Sequence, residues 1–430
     1  MTILVFITFS CNKSRNEPVK VELKKVNGKY RLYREGKPYY VKGAGLEFGN
    51  IKSLADRGAN SFRTWRTENG QQSAKEILDE AYKYGLTVTM GLEIGRERHG
   101  FDYNNIEQVE KQFEYIKNEV LKYKDHPALL AWGIGNELNL HYTNEKVWSA
   151  VNNISKMIHE IDGNHPTTTM LAGIGKNEVD LINRLSPDLD FISIQMYGDI
   201  DYLNKKIEEA GYEGPYLVTE WGATGHWEVD TTSWGIQIEQ TSTEKSEALI
   251  RRWNNSIYNN KTHCLGSYVF LWGQKQERTP TWYGFFLEAG EQIEQVGTMQ
   301  FLWTGKWPEK RAPGIKEIKL NNKTSYDNII LKPGEDLILN LNVINHSNDS
   351  LRLRAEILPD ITNFYGDGGD FEKRPESIQK IETETLQDSL NFVAPSDTGP
   401  YRIFLYVLDN YNQAATANIP FYVRDEALSQ

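Results

Sequence analysis

The sequence predicts an α/β protein, a (β/α)8 TIM barrel followed by an immunoglobulin-like all-β sandwich. From Tyr39 onward, apolar runs of strand length alternate with helical segments, which is typical of a parallel sheet with crossover helices. Eight such units occupy roughly 270 residues, close to the usual extent of a TIM barrel, about 250 residues. After Trp307 the helical periodicity disappears and short alternating strands follow.

The eight barrel strands are predicted from apolar runs bounded by turn residues. We place them near 39–45, 60–66, 86–92, 129–135, 167–173, 190–197, 215–221 and 266–272. An open, doubly wound sheet is the alternative architecture for such a pattern. Against it, no Gly-x-Gly-x-x-Gly motif follows the first strand.

The intervening helices are predicted from apolar residues at intervals of three and four. Ile106, Val109, Phe113, Ile116 and Val120 form one such stripe, and the stretch from Thr241 to Asn260 carries another. Before the barrel, Val19 to Tyr40 contains two short strands around Asn27-Gly28, which indicates a hairpin lid or a plug at the bottom of the barrel.

The C-terminal part is predicted to be a separate β-sandwich. Pro308 and Pro313-Gly314 bracket a linker, and roughly 110 residues of alternating strands follow, as in immunoglobulin-like domains, here without their buried disulfide. We therefore divide the chain into a signal segment (1–18), a catalytic barrel with its N-terminal hairpin (19–307) and the sandwich (314–425).

Charge and cysteine content exclude some classes of protein. The 430 residues carry a net charge of -11, with no Lys/Arg cluster that could track a phosphate backbone, so nucleic acid is not expected as a partner. Two cysteines cannot build a disulfide framework. We expect a monomer.

The N-terminus contains an apolar run, Ile3 to Phe9, followed by Ser10-Cys11-Asn12. The run is too short to span a bilayer and lies where a signal peptide has its apolar region. The residues around Cys11 resemble the bacterial lipoprotein cleavage box, which predicts export and anchoring in the outer membrane through a lipidated Cys11. An ordinary disordered N-terminus is the alternative.

Two predicted strands end in glutamates. Leu129 to Leu138 reads Leu-Leu-Ala-Trp-Gly-Ile-Gly-Asn-Glu-Leu, so an apolar strand ends in Asn136-Glu137. Pro215 to Gly222, Pro-Tyr-Leu-Val-Thr-Glu-Trp-Gly, ends similarly in Glu220. Active sites of TIM barrels lie at the C-terminal ends of the strands. A pair of carboxyl groups there is what a retaining glycosidase needs, because one attacks the sugar and the other exchanges a proton with the leaving group.

Other polar and aromatic side chains are predicted near the same end of the barrel. A single strand-end glutamate could simply cap a helix or pair with a lysine, but the joint pattern favours catalysis. No set of residues has the spacing of a metal site, and no cofactor is expected. The further candidates for substrate binding are Arg63, Asn136, Tyr197 and Trp272 at strand ends, and His141, Trp221, Trp227 and Trp282 in loops.

These strand-end motifs resemble clan A of the glycoside hydrolases, the retaining barrel enzymes. The resemblance covers about residues 39 to 303. It implies that Glu137 is the acid/base, Glu220 the nucleophile and Asn136 the partner of the sugar 2-hydroxyl. It further implies that Arg63 and Tyr197 hold the nucleophile and that Trp272 is a platform under the reacting sugar.

Within the clan, the Trp-Gly-Ile-Gly-Asn-Glu and Thr-Glu-Trp-Gly-Ala motifs, the C-terminal module and the lipoprotein-like start most resemble glycoside hydrolase family 158. Families 2 and 5 share several of these motifs. The resemblance to family 158 implies a retaining endo-β-1,3-glucanase that cleaves laminarin-type β-glucan. Two alternatives remain. One is another clan A β-glycosidase, such as a β-mannanase, a β-galactosidase-like enzyme or a glucanosyltransferase, and the other is a non-catalytic surface glycan-binding protein.

Overall fold

The computed structural model describes residues 18–361 and 372–425. The signal segment, with the predicted lipidation site Cys11, lies outside the described residues. Three strands, β1 (Val21–Val26), β2 (Lys29–Arg34) and β3 (Lys37–Tyr39), form an antiparallel sheet. Its backbone bonds to Asn164 and Thr262, which precede two barrel strands, so the sheet closes the N-terminal end of the barrel as a plug.

Eight parallel strands close into a barrel, each hydrogen-bonded to its neighbours in chain order and the last to the first. They are β4 (Val41–Gly45), β5 (Ser61–Arg63), β6 (Thr87–Leu92), β7 (Leu129–Asn136), β8 (Thr167–Ala172), β9 (Phe191–Gln195), β10 (Tyr216–Glu220) and β11 (Cys264–Val269). All eight lie within two residues of the predicted positions at their N-terminal ends. The predicted barrel is confirmed.

Helices cover the outside of the barrel, one after each strand. They are α1 (Ile51–Asp56), α2 (Ala74–Lys83), α3 (Ile106–Tyr123), α4 (Lys146–Ile161), α5 (Lys176–Leu185), α6 (Leu203–Ala210), α7 (Ser242–Arg252) and α8 (Glu294–Thr304). Capping boxes start α2, at Ser73 and Glu76, and α7, at Thr241 and Glu244, because the side chains at each helix start bond to backbone amides that have no partner within the helix.

Two further β-sheets are built from strands that follow the barrel and from β12 (Gln292–Ile293), a short strand of the barrel domain that precedes α8. Their other strands are β13 (Gly314–Leu320), β14 (Ile330–Leu331), β15 (Asp336–Ile344), β16 (Arg352–Pro359), β17 (Gln379–Thr383), β18 (Ser389–Val393), β19 (Gly399–Leu408) and β20 (Gln413–Val423). The larger sheet has the order β12-β20-β19-β16-β17 with β14 beside β20, and the smaller has the order β13-β15-β18. Apolar side chains of both sheets share one core, which confirms the predicted all-β sandwich.

The sandwich, here called the C-terminal module, packs closely on the barrel. Leu287 and Ile293 of the barrel share an apolar cluster with Phe404 and Leu408 of the module. Beside this cluster, the buried carboxylate of Glu239 accepts hydrogen bonds from Lys245 and Thr281 of the barrel and from Asn418 of the module. Among residues 18–361 and 372–425, no helix combines the length and apolar character needed to cross a membrane.

Candidate active site

The end of β7 has an irregular backbone that turns two consecutive polar side chains toward one cavity. Side chains of neighbouring residues in a regular strand point to opposite faces. Here the register with β8 shifts between Gly133 and Asn136, and Gly135 and Glu137 have φ values of +73° and +51°. A positive φ is uncommon for a residue other than glycine and is often found at functional sites. As a result, Asn136 and Glu137 both line the cavity at the C-terminal end of the barrel.

The carboxylate of Glu220, at the end of β10, is held by four donors from the ends of two other strands, β5 and β9. Its Oε1 accepts hydrogen bonds from Trp65 Nε1 at 3.0 Å and Gln195 Nε2 at 3.1 Å. Its Oε2 accepts one from the Tyr197 hydroxyl at 2.8 Å. Arg63 Nη1 lies 3.3 Å from Oε1. Because these donors fix both oxygens, the carboxylate has a defined position and orientation.

Asn136 belongs to the same network. Its Oδ1 accepts hydrogen bonds from Arg63 Nη2 and from Gln195 Nε2, each at 2.8 Å. Since an amide oxygen occupied by two donors fixes the amide orientation, the NH2 group of Asn136 is the part left to donate to a ligand. Arg63 and Gln195 therefore connect Asn136 to Glu220.

Glu137 lies beside this network in a less compensated environment. Burial, and after it the charge of Glu220, raise the pKa of Glu137 to about 7 although the nearby Arg98, Arg63 and Arg96 oppose the rise. Arg98 donates to the Glu137 carbonyl oxygen at 2.6 Å, and its Nη2 lies 3.9 Å from the carboxylate. Two neighbouring carboxyl groups with such different surroundings can divide the roles of proton donor and nucleophile.

The cavity around these residues has a volume of about 1200 Å³ and opens to solvent. Two of the predicted loop residues line it. Trp227 is 59 % exposed and its ring lies edge-on to that of Tyr197, with centroids 5.4 Å apart. His141 lies at the edge of the cavity in an exposed turn. Phe270 also lines the cavity, next to Trp65 and Tyr197.

Three tryptophans predicted to bind substrate are placed differently. Trp272 borders the cavity, but its indole is completely buried against Trp303 and donates to Ser53 Oγ at 2.9 Å. The strand β11 already ends at Val269, so its alternation does not extend to this residue. The fully buried indole of Trp272 is therefore not available as a flat platform, whereas Phe270, two residues earlier, packs edge-to-face with Trp65 and Tyr197 in the cavity wall.

Trp221 and Trp282 do not line the cavity. Trp221 follows Glu220 directly, so the alternation of the strand directs its side chain to the opposite side, where it stacks on Trp253 at a centroid distance of 6.0 Å. Trp282 is 2 % exposed and donates to the Thr224 carbonyl oxygen at 2.9 Å. Both are packing residues because their rings are enclosed by protein.

The sequence did not predict that Trp65 and Gln195 donate hydrogen bonds to Glu220. A signal was present, since Trp65 lies two residues after Arg63 and Gln195 two before Tyr197, and residues two apart face the same way along a strand. Arg98 had no such signal, because it lies in a single 3₁₀-helical turn (Glu97–His99) in the connection after β6 and not on a strand. In the described part of the chain, no group of three or more His, Cys, Asp or Glu side chains is placed to hold a metal ion.

Comparisons with known proteins agree with this architecture. Bacteroides uniformis beta-glucuronidase 2, covalently bound to cyclophellitol-6-carboxylate aziridine, superposes with a TM-score of 0.52 at 14% identity, over 94% of this chain and 48% of that one. Bifidobacterium dentium beta-glucuronidase in complex with coumarin-3-O-glucuronide also superposes with a TM-score of 0.52. The two sequences are 17% identical, and the superposition covers 67% of this chain and 49% of that one. These similarities concern the fold, and the chain spans about half the length of each structure.

Sequence comparison identifies the family. Mannan endo-1,4-beta-mannosidase F of Aspergillus clavatus is 24% identical over 186 residues, which are 36% of this chain and 42% of the mannosidase. The TIM-barrel domain of glycosyl hydrolases family 2 matches residues 51–288, more than half of the chain. The coarser prediction of a clan A glycoside hydrolase is thereby confirmed, while the narrower resemblance to family 158 stays a prediction. Through this barrel domain, the chain belongs to the glycosyl hydrolases of family 2.

Proposed function

We propose that the protein is a retaining, endo-acting β-glycosidase in which Glu220 is the nucleophile and Glu137 the acid/base. The observation that carries this proposal is the contrast between the two carboxyl groups. Glu220 is fixed by Arg63, Tyr197 and two further donors, whereas the pKa of Glu137 is raised to about 7. A carboxyl group with such a pKa is still protonated near neutral pH and can donate its proton to a leaving group.

The two steps of a double displacement follow from this arrangement. Glu220 attacks the anomeric carbon while Glu137 protonates the departing glycosidic oxygen, which leaves a covalent glycosyl-enzyme. Formation of the ester removes the negative charge of Glu220, so the pKa of Glu137 falls and its carboxylate can deprotonate the incoming water. The NH2 group of Asn136 would donate to the sugar 2-hydroxyl, a bond that strengthens in the oxocarbenium-like transition state.

The cavity supports an extended, uncharged substrate. Its volume of about 1200 Å³ exceeds the usual 300–1,000 Å³ of a small-molecule site. Three of its cations, Arg66, Lys206 and Lys275, lie 2.5–2.6 Å from a carboxylate of the protein, so their charge is already compensated. A neutral oligosaccharide suits this lining, and we propose β-1,3-glucan as the substrate on the basis of the resemblance to family 158.

A second candidate substrate is β-mannan. The relative from Aspergillus clavatus is named a mannan endo-1,4-beta-mannosidase, and its similarity extends over 186 residues. The catalytic pair would be the same, since the linkage is selected by the loops that surround the pair and not by the two carboxyl groups.

The proposal is tested by the products formed from β-1,3-glucan, mixed-linkage glucan, cellulose, β-mannan and galactan. We expect a ladder of oligosaccharides from β-1,3-glucan, and Glu220→Gln should abolish turnover without unfolding the protein. Glu213→Gln is the matched control, since Glu213 is exposed in the loop just before the N-terminal end of the same strand. A ladder from β-mannan would transfer the proposal to mannan, longer products would indicate glucanosyl transfer, and an active Glu220→Gln variant would refute the mechanism.

We also propose that the protein is exported, anchored in the outer membrane through a lipidated Cys11, and monomeric. The support is the apolar run before Ser10-Cys11-Asn12. Mass spectrometry of protein from membranes should find the lipid on Cys11, and Cys11→Ser should release the protein into the soluble fraction. Light scattering of the protein from Val19 onward should give the mass of one chain.

A further inference from the structure

The cavity that contains the two catalytic candidates also includes residues from the C-terminal module. Glu372, Lys373 and Arg374, which lie between β16 and β17, form part of its wall together with Gln274 and Lys275 from the loop after β11. We propose that these residues form a distal subsite, which binds a neutral sugar unit of the substrate chain at a distance from the cleaved bond. This inference rests on the proposed function and extends it to the second module.

Specific contacts hold the module residues against the barrel. Glu372 Oε2 accepts a hydrogen bond of 2.6 Å from the backbone amide of Arg278, and its Oε1 lies 3.7 Å from the Arg278 guanidinium. Arg374 Nε lies 3.3 Å from Glu288 of the barrel, and its Nη2 donates to Glu356 of the module at 2.6 Å. The segment is therefore attached on both sides of Lys373, which is exposed.

Other contacts also hold the module on the barrel. The apolar cluster of Leu287, Ile293, Phe404 and Leu408 and the bond from Asn418 to Glu239 already attach the module to the barrel. The position of Glu372 to Arg374 in the cavity wall is therefore an additional feature. Its effect is to add residues of the module to the wall of the cavity that contains Glu137 and Glu220.

The chemistry of this wall fits hydroxyl groups. Lys275 lies 2.6 Å from Glu277 and 5.7 Å from the centre of the Phe270 ring, and Arg374 forms an ion pair with Glu288 and donates a hydrogen bond to Glu356. Such charge-compensated pairs present donors and acceptors side by side, as the hydroxyl groups of a sugar require, and they leave little net attraction for an anionic sugar.

The test compares substrates of different length. We expect Lys373→Ala and Glu372→Gln to lower the ratio of kcat/KM for the polysaccharide to that for a short aryl β-glycoside by about threefold to tenfold, as expected for one lost hydrogen bond. Lys323→Ala, at an exposed turn of the module, is the matched control and should leave the ratio unchanged. An unchanged ratio in both cavity variants would overturn the subsite.

A binding experiment separates this inference from the proposed function. The experiment measures binding by calorimetry in the Glu220→Gln variant, with β-1,3-gluco- and β-1,4-manno-oligosaccharides of two to six units. We expect the affinity to increase with the length of the oligosaccharide. Addition of Lys373→Ala should make the gain in affinity from the shortest to the longest oligosaccharide several-fold smaller. Binding that is equally length-dependent in both proteins overturns the subsite alone. Binding with the predicted difference, but without turnover in the unaltered protein, overturns only the enzymatic proposal. A protein that binds neither series contradicts both.

Discussion

Nη1 of Arg63 lies 3.3 Å from Oε1 of Glu220, and both side chains are almost completely buried, with exposed fractions of 1 and 7 %. Burial lowers the pKa of Arg63, and the charges of Glu220 and Glu137 oppose that shift. A guanidinium group nevertheless stays protonated in proteins. The two residues therefore form a buried ion pair, in which each charge depends on the other for compensation.

Replacement of Arg63 should damage both stability and activity. Arg63→Met leaves Glu220 as a buried carboxylate without its cation, and loss of one partner of such a pair lowers the free energy of unfolding by about 3–5 kcal/mol. We also expect kcat to fall by about 100-fold or more, because the carboxylate loses its orientation. Denaturant unfolding and initial rates measure the two effects.

Arg63→Lys is the informative comparison. A lysine keeps the charge but lacks the planar fork that reaches Glu220 and Asn136 together. We expect it to recover most of the stability and only part of kcat. A lysine variant with wild-type kcat would show that the contact with Asn136 is unimportant for turnover.

Tyr197→Phe removes the hydroxyl that donates to Glu220 Oε2 at 2.8 Å. Burial and the charge of Glu220 raise the pKa of Tyr197 well above its usual value, so the hydroxyl remains a donor throughout the working pH range. A hydrogen bond to a charged group is worth about 1.5–3 kcal/mol, which corresponds to a loss of roughly 10- to 150-fold in kcat.

Tyr283→Phe is the matched control for this substitution. Tyr283 belongs to the same aromatic cluster, but its hydroxyl accepts a hydrogen bond from the His226 backbone amide at 3.1 Å. The expected change in kcat is less than about tenfold, because only a neutral hydrogen bond is lost. Equal losses in the two variants would indicate that Tyr197 acts through packing.

The activity should decline at alkaline pH because Glu137 must be protonated to donate its proton. With the pKa of Glu137 at about 7, kcat/KM should fall as the pH rises through 7. Arg98→Gln removes a cation that favours the ionised form, so the pKa of Glu137 should rise and the alkaline limb should move to higher pH by about one unit. Arg98→Lys should retain the limb near its original position.

A substrate with a good leaving group provides the control for the pH profile. Such a group departs without protonation. When glycosylation limits the rate, the loss of activity at alkaline pH should therefore be smaller with this substrate. For the same reason, Glu137→Gln should lose less activity on this substrate than on a polysaccharide. An alkaline limb that stays in place, or moves to lower pH, in Arg98→Gln would contradict the assignment of Glu137.

The C-terminal module should contribute to the stability of the barrel. Asn418 donates to the buried Glu239 at 2.6 Å, so Asn418→Ala should lower the free energy of unfolding by about 1–3 kcal/mol. Asn391→Ala is the control, because Asn391 is exposed on β18 and such substitutions usually change stability by less than about 0.5 kcal/mol. Equal stability of the two variants, measured by denaturant unfolding, would contradict the structural role of this contact.

The positions of the barrel strands and of the central polar residues were predictable from the sequence. Runs of apolar residues marked β7 and β10, and the polar residues at their ends marked Asn136, Glu137 and Glu220. Arg63 and Tyr197 joined them because the C-terminal ends of parallel strands meet at the same end of a barrel. These predictions depended on local periodicity and one general rule of the fold.

The sequence by itself thus determined the barrel and the group of side chains around Glu137 and Glu220. Only the tertiary structure decided that the Trp272 indole is completely buried at the border of the cavity, that Arg98 reaches Glu137, and that Lys373 lines the cavity from the second module. Those placements depend on loop conformations and on contacts between residues far apart in the chain. The physical reason is that local periodicity specifies the face of a strand, whereas the course of a loop is fixed by packing against distant residues.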